Sequence, residues 1–308
     1  MRGAFVEALI SLAREDERIH LLTADLGWSV IEPFARAFPG RFLNTGVAEA
    51  NMAGIATGLA QLGAVPFIYS IATFSSMRCY EQVRNGPVRH RLPVRIVGVG
   101  GGFAYGHAGP THFALEDLAL ARTQPGLAAI APADPAQTRA VVRASLDWPG
   151  PAYLRIGKGG NQAVPGLEGR FALDRPELIR EGRDLLLLCC GGVAVEAVAA
   201  AEALAAQGFS AAVAVLAHLS FAPSPALVEL LGRFERVLAV EEGYGASALG
   251  ALAAQAIALN GLRCRLGQSG VFDSPPGISG SEAWMRTRHG LDAPGIAAAA
   301  RALASLSE

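Results

Sequence analysis

The stretch FLNTGVAEANMAGIATGLAQLGAVPFIYSIATFSSMRCY, residues 42–80, decides how the rest of the chain is read. A short strand from Phe42 ends in a turn at Gly46, and a helix of small residues follows with Glu49 in its first turn. That order of elements sets a carboxylate at a buried strand-to-helix edge, in apolar surroundings. Further on, Phe74, Met77 and Tyr80 recur at i, i+3 and i+6, which aligns two rings and a thioether along one side of a helix. Taken singly, Glu49 is a charge complementing a helix dipole, and the stripe is an ordinary core face. Together, an acid and a flat apolar wall outline a pocket for an aromatic ring.

Outward from this segment, helix-like and strand-like patterns alternate. Residues 3–14 have helical periodicity; His20–Ala24, Val65–Ser70, Val94–Gly98, Leu127–Ala131 and Ala152–Ile156 read as strands, with a helix over Pro135–Leu146. The pattern restarts with strands Leu185–Cys190, Ala211–Val215, Arg236–Val240 and Cys264–Leu266. Helices Ala194–Gln207, Pro225–Phe234 and Ala246–Leu259 separate them, and Pro294–Leu306 closes the chain. Such alternation predicts an α/β protein with two doubly wound, mostly parallel sheets. The first domain is placed at 1–165, a linker at 166–182 and a smaller second domain at 183–308, in keeping with a length of 308 residues.

With 26 basic and 27 acidic side chains, no charge imbalance recommends nucleic acid or an anionic membrane as partner. Glu7, Arg14, Glu15, Asp16 and Arg18 break any signal-peptide core or membrane span in the first twenty residues, so a cytoplasmic protein is expected. Cys79, Cys189, Cys190 and Cys264 form no spaced ligand pair and read as buried thiols. The glycine run from Gly98 to Phe103 lacks a following helix, a ribose-binding acid and a Walker lysine. It reads as a loop whose glycines permit close approach of a ligand or a neighbouring chain. His107 and His112 lie five apart with no acidic or cysteine ligand near enough to make a metal site.

The wording of Gly46-Val47-Ala48-Glu49-Ala50-Asn51-Met52, followed by Gly54-Ile55-Ala56-Thr57-Gly58, closely resembles the pyrimidine-binding domain of transketolases. Gly109-Pro110-Thr111-His112, Val240-Glu241-Glu242-Gly243 and His289-Gly290-Leu291-Asp292-Ala293 extend that resemblance over nearly the whole chain. It implies thiamine diphosphate as cofactor, with Glu49 as the carboxylic acid that hydrogen-bonds the aminopyrimidine and so promotes loss of the thiazolium C2 proton. Burial would favour the neutral acid that this role needs. Phe74, Met77 and Tyr80 would hold the ring, Asp25 would lie near the cofactor and reacting carbons, and His112 would face the substrate as a catalytic hydrogen-bond donor. Arg2, Ser29 and Arg155 would hold a sugar phosphate.

Several features depart from the family pattern. No Gly-Asp-Gly turn occurs, so the diphosphate and its Mg2+ are expected on a separate subunit carrying the diphosphate-binding domain. The chain then reads as the C-terminal-half subunit of a split transketolase, with no metal ligands of its own. It would be active in an α2β2 heterotetramer with residues 40–115 at the interface. Met77 stands where an aromatic residue is usual. Ala108 replaces an aspartate that bonds a sugar C2 hydroxyl, and Gly100 replaces a phosphate-binding histidine. Both predict a roomier, less polar entrance and an aldehyde acceptor less strictly selected for a neighbouring hydroxyl. The expected reaction is transfer of a two-carbon ketol unit from a ketose to an aldehyde. The alternatives are a β subunit of a 2-oxoacid dehydrogenase and a scaffold subunit without chemistry. Gly109–His112 and Arg155 favour the ketol transfer over the first, and Glu49 argues against the second.

Overall fold

The strand Leu185–Cys190 is buried at all six positions, which is what a strand covered by helices on both faces requires. The same holds for Val65–Ile71, Arg95–Val99 and Ala211–Val215. A computed structural model describes residues 1–159, 162–245, 247–273 and 277–305. Its strands are β1 (Ile19–Thr23), β2 (Phe42–Asn44), β3 (Val65–Ile71), β4 (Arg95–Val99), β5 (Ala128–Ile130), β6 (Ala152–Ile156), β7 (Glu177–Arg180), β8 (Leu185–Cys190), β9 (Ala211–Val215), β10 (His218–Leu219), β11 (Arg236–Tyr244) and β12 (Arg265–Val271). They form a seven-stranded sheet in the order β10-β5-β6-β4-β3-β1-β2 and a five-stranded sheet in the order β12-β11-β8-β9-β7. The architecture is the α/β class expected, two mostly parallel sheets packed with helices.

Two strands fall where none was expected. β7 lies inside the stretch read as linker and pairs antiparallel with β9, with a register shift between Leu178 and Arg180. β10 leaves the second half of the chain and pairs antiparallel with β5 of the first sheet, His218 opposite Ile130 and Leu219 opposite Ala129. Strands of four and two residues are too short to show a period. The predicted helix ends at Ala246 and Leu306 lie outside the described residues; the helices there run Leu249–Asn260 and Ala293–Ser305.

A parallel sheet sends its connections out of one edge, so the loops after β1, β2, β3, β4 and β6 leave the carboxyl ends of neighbouring strands. Those loops carry Asp25, Glu49, Phe74, Tyr105 with His112, and Lys158. After β3 the backbone forms a π-helical turn over Phe74–Arg78 before the α-helical turn Tyr80–Val83. The α-helix expected over this segment is thereby corrected to a π turn, while Phe74, Met77 and Tyr80 are all half-buried. In the wider turn Ser75, Ser76 and Cys79 face the core, with Ser76 Oγ and Cys79 Sγ bonded to the carbonyls of Ala72 and Ser75. Single π turns inside helices recur at functional sites.

Besides an apolar cluster shared by both halves, charged side chains join them. Tyr153 donates to fully buried Asp117 at 2.6 Å, and Arg155 Nε lies 3.5 Å from the same carboxylate. Arg155 Nη2 donates to the Ala114 carbonyl and, across the domain boundary, to that of Glu242. Glu242 in turn accepts from the Phe103 amide at 3.0 Å and from Arg286 at 2.8 Å. Burial pushes the Glu242 carboxyl up, but the charge and hydrogen bond of Arg286 outweigh it and hold the group below its usual range. Phe103 stacks on His289 with centroids 5.1 Å apart.

Glu241, next door, is buried without such a cation. Burial pushes its carboxyl up to about 7, although the amides of Leu249 and Gly250 donate to it at 3.0 and 2.8 Å. An acid that holds its proton more tightly folded than unfolded stabilises the fold at low pH, and that contribution is lost as pH rises from about 4.5 through about 7. Between pH 5 and 8 the stability of Glu241→Gln should therefore rise relative to the native chain, by up to about 3 kcal/mol. Denaturant titrations of both proteins at the two pH values check this, and a pH-independent difference would refute it.

Candidate active site

The loop Asp25–Ser29 is held in an uncommon backbone shape, with φ of 56° at Asp25, 87° at Gly27 and 65° at Ser29. Asn44 at the end of β2 fastens it. Its Nδ2 donates to Asp25 Oδ1 at 2.9 Å, while its Oδ1 accepts from the amides of both Asp25 and Gly46 at 3.0 Å. One amide side chain thus ties the Asp25 loop to the turn that leads into the helix Glu49–Gln61.

Glu49 opens that helix and is 3% exposed. Ser70 Oγ donates to its Oε1 at 3.1 Å, and Arg78 Nη1 lies 3.4 Å from its Oε2. The Arg78 guanidinium also lies over the Phe74 ring, 3.6 Å from the centroid. Phe74 meets His112 edge-on at 5.2 Å, and His112 is 6.1 Å from the Tyr105 ring. Above Tyr105, at 4.1 Å, stands the ammonium of Lys158. The result is a continuous row of side chains from a buried acid, along an aromatic wall with one imidazole in it, to a cation. Thr111 Oγ1 sits 2.9 Å from His112 Nδ1, which leaves Nε2 for a substrate atom.

Beyond Lys158 lies a cleft of about 520 Å3 lined by Arg2, Ser29, Glu7 and Lys158. Arg2 Nε donates to the Lys158 carbonyl at 2.8 Å, which joins the two cationic residues at one place.

The structure brings Glu49, Phe74 and His112 into one row, and Arg2 with Ser29 into the cleft at its end. Several expectations change. Arg155 turns inward, its guanidinium spent on Asp117, Ala114 and Glu242, because a cation at that point is what the buried carboxylate of Asp117 needs. Tyr80 reaches toward the end of the helix Asp117–Arg122, its hydroxyl bonded to Thr123 at 3.1 Å and to Gln124, and like Phe74 and Met77 it is half-buried. Gly100 does not open the entrance. Its φ is 77°, and a Cβ there would collide with the Tyr105 ring, so the glycine makes room for Tyr105. Asp25 is exposed, with its carboxylate bonded to Asn44.

Sequence reasoning missed Arg78, Tyr105, Asn44 and Lys158. For Lys158 a signal existed: it is the single lysine in a chain whose Lys and Arg together number 26. Arg78 was hidden by the assumption of α-helical spacing.

Residues 1–162 match the transketolase pyrimidine-binding domain and residues 175–296 the transketolase C-terminal domain. The chain belongs to the transketolase family. In extent it corresponds to separately encoded subunits of that family. It is 32% identical to the 6-deoxy-6-sulfo-D-fructose transketolase subunit SqwH of Clostridium sp. (strain MSTE9), covering 97% of this chain and 93% of the relative. It is also 32% identical to a subunit of the apulose-4-phosphate transketolase of Phocaeicola vulgatus, over 96% of this chain and 94% of that one. A solved split-gene transketolase, an inactive β4 tetramer, superposes with a TM-score of 0.88 at 33% identity, covering 100% of this chain and 98% of that one.

The residues present fit the aminopyrimidine of thiamine diphosphate. A buried carboxyl faces the mouth of the site, and the ring face beside it is covered by a half-exposed guanidinium that can move into solvent. Among the described residues no group of three or more His, Cys, Asp or Glu could hold a metal ion, and no helix is long and apolar enough to cross a membrane.

Proposed function

We propose that this chain is the pyrimidine-binding and substrate-binding half of a two-subunit transketolase. Such an enzyme transfers a two-carbon ketol unit from a phosphorylated ketose to an aldehyde. The observation that carries this reading is the row from Glu49 through Phe74, His112 and Tyr105 to Lys158, acid at one end and cation at the other. Glu49 presents its carboxyl group to the aminopyrimidine nitrogen for a hydrogen bond, and Phe74 supplies the face on which the ring lies. When bound, the cofactor supplies the carbon nucleophile that attacks the ketose carbonyl. His112, oriented by Thr111, donates from Nε2 to a substrate oxygen. Arg2, Ser29 and Lys158 hold the anionic end of the substrate.

The sugars in the names of the two relatives carry a sulfo group or a phosphate, and a lysine point charge accepts either. Ala108 is exposed in the turn before His112 and has no oxygen to pair with a sugar hydroxyl. Acceptors lacking the hydroxyl beside the carbonyl, such as 2-deoxy or aliphatic aldehydes, are therefore used.

Mg2+ and the diphosphate belong to a partner subunit, in an α2β2 assembly formed in the cytoplasm. Trp28, Leu43 and Val47 are 68%, 43% and 73% exposed and flank Asn44 and the Glu49 turn, an apolar surface that a partner would cover. Reconstitution with the partner, thiamine diphosphate, Mg2+ and xylulose 5-phosphate tests the reading. Ketol transfer by the complex and none by either chain alone is expected; full activity of this chain alone would rule the reading out.

Lys158→Ala should raise KM for a phosphorylated donor about tenfold to a hundredfold, the value of a lost charge-assisted hydrogen bond. The kcat should be retained. Steady-state kinetics on phosphorylated and unphosphorylated ketoses would show the effect confined to the former. An unchanged KM would move the anion site elsewhere.

A further inference from the structure

Arg78 lies on both surfaces that an aromatic ring needs in this site. Its guanidinium carbon is 3.6 Å from the Phe74 ring centroid, and its Nη1 is 3.4 Å from Glu49 Oε2. The π turn Phe74–Arg78 brings the ring and the guanidinium to the same mouth. We propose that Arg78 plugs the ring site of the empty chain, so that a flat aromatic ligand binds by displacing it. The inference rests on the thiamine diphosphate reading above.

The asymmetry of exposure makes the plug removable. The Arg78 side chain is 49% exposed, whereas that of Glu49 is 3% exposed, so the cation can swing into water and the acid cannot. A cation over a half-buried ring and an ion pair with one solvated partner are each weak, worth roughly threefold apiece in an equilibrium constant. The plug therefore lowers the affinity for a ring by about tenfold without blocking it. It also satisfies a buried carboxylate oxygen that would otherwise lack a partner until the ring arrives. A site held in this way stays shut to stray aromatic molecules and opens to a ligand that brings further binding energy, such as a diphosphate anchored on the partner subunit.

The test uses the full chain reconstituted with its partner subunit. Thiamine diphosphate, with Mg2+ present, is titrated into the complex by isothermal titration calorimetry. Arg78→Ala should bind about tenfold more tightly than the native complex. Arg78→Gln, which keeps much of the length and removes the charge, should follow it. Equal or weaker binding in both variants overturns the plug, since Arg78 would then be neutral or part of the ring's own binding site. A native complex that binds no thiamine diphosphate overturns both the plug and the cofactor reading. Native binding left unaltered by the substitutions sinks the plug alone.

Discussion

Replacement of Glu49 by glutamine is expected to cut thiazolium C2 proton exchange in the reconstituted complex by roughly two to three orders of magnitude. The amide matches the carboxyl in size, so the helix Glu49–Gln61 keeps its first turn and Ser70 keeps an acceptor 3.1 Å away. What is lost is the shared proton. A glutamine can donate a hydrogen bond to a ring nitrogen, but it cannot pass the proton along as that nitrogen gains and loses charge. Exchange of the C2 proton with deuterium, followed by NMR after acid quench, reads this step without any sugar substrate. An unchanged exchange rate would remove Glu49 from the chemistry and leave it a structural acid.

The second large effect falls on stability. Arg155→Leu should destabilise the chain by about 3–5 kcal/mol, the cost of leaving a buried charge without its partner. Asp117 is fully buried, and its Oδ1 has no hydrogen-bond partner among the described residues, so Oδ2 with Tyr153 and Arg155 is all that holds it. The carbonyls of Ala114 and Glu242 lose a donor in the same substitution. Lys158→Ala, by contrast, removes a half-exposed side chain at the cleft and should change stability by less than about 0.5 kcal/mol. Thermal or denaturant unfolding of the two variants separates the structural cation from the substrate-facing one. A stable Arg155→Leu with a raised KM for phosphorylated donors would return Arg155 to the substrate.

The strands that were legible in the sequence are those buried on both faces. Leu185–Cys190, Ala211–Val215 and Ala152–Ile156 are unbroken apolar or nearly apolar runs, and their limits coincide with the observed ones. Glu49 was legible because its motif is local: strand, glycine turn and helix lie within twenty residues. The errors arose where a side chain's direction depends on the rest of the fold. Arg155 and Lys158 are three residues apart at the end of β6, and sequence spacing could not say that Asp117 and Glu242 wait inside for the first. A π turn leaves no mark in a hydrophobic period, so the segment from Phe74 to Tyr80 read as α-helix and Arg78 drew no notice. Gly100 looked like lost function, and only the Tyr105 ring beside it shows what the missing side chain makes possible.

The strand β10 leaves the C-terminal half and hydrogen-bonds to β5 in the other sheet. A deletion made after residue 165 would strip that neighbour away and bare β5, a short strand that then has a raw edge open to other chains. The two halves therefore cannot be swapped among relatives as beads on a string. A chimera joined in the linker would inherit a foreign edge strand, and its β10 would have to match a β5 with which it did not evolve. Recombination between such proteins should succeed only when Ala128–Ile130 and His218–Leu219 travel together, whatever happens to the segment that separates them.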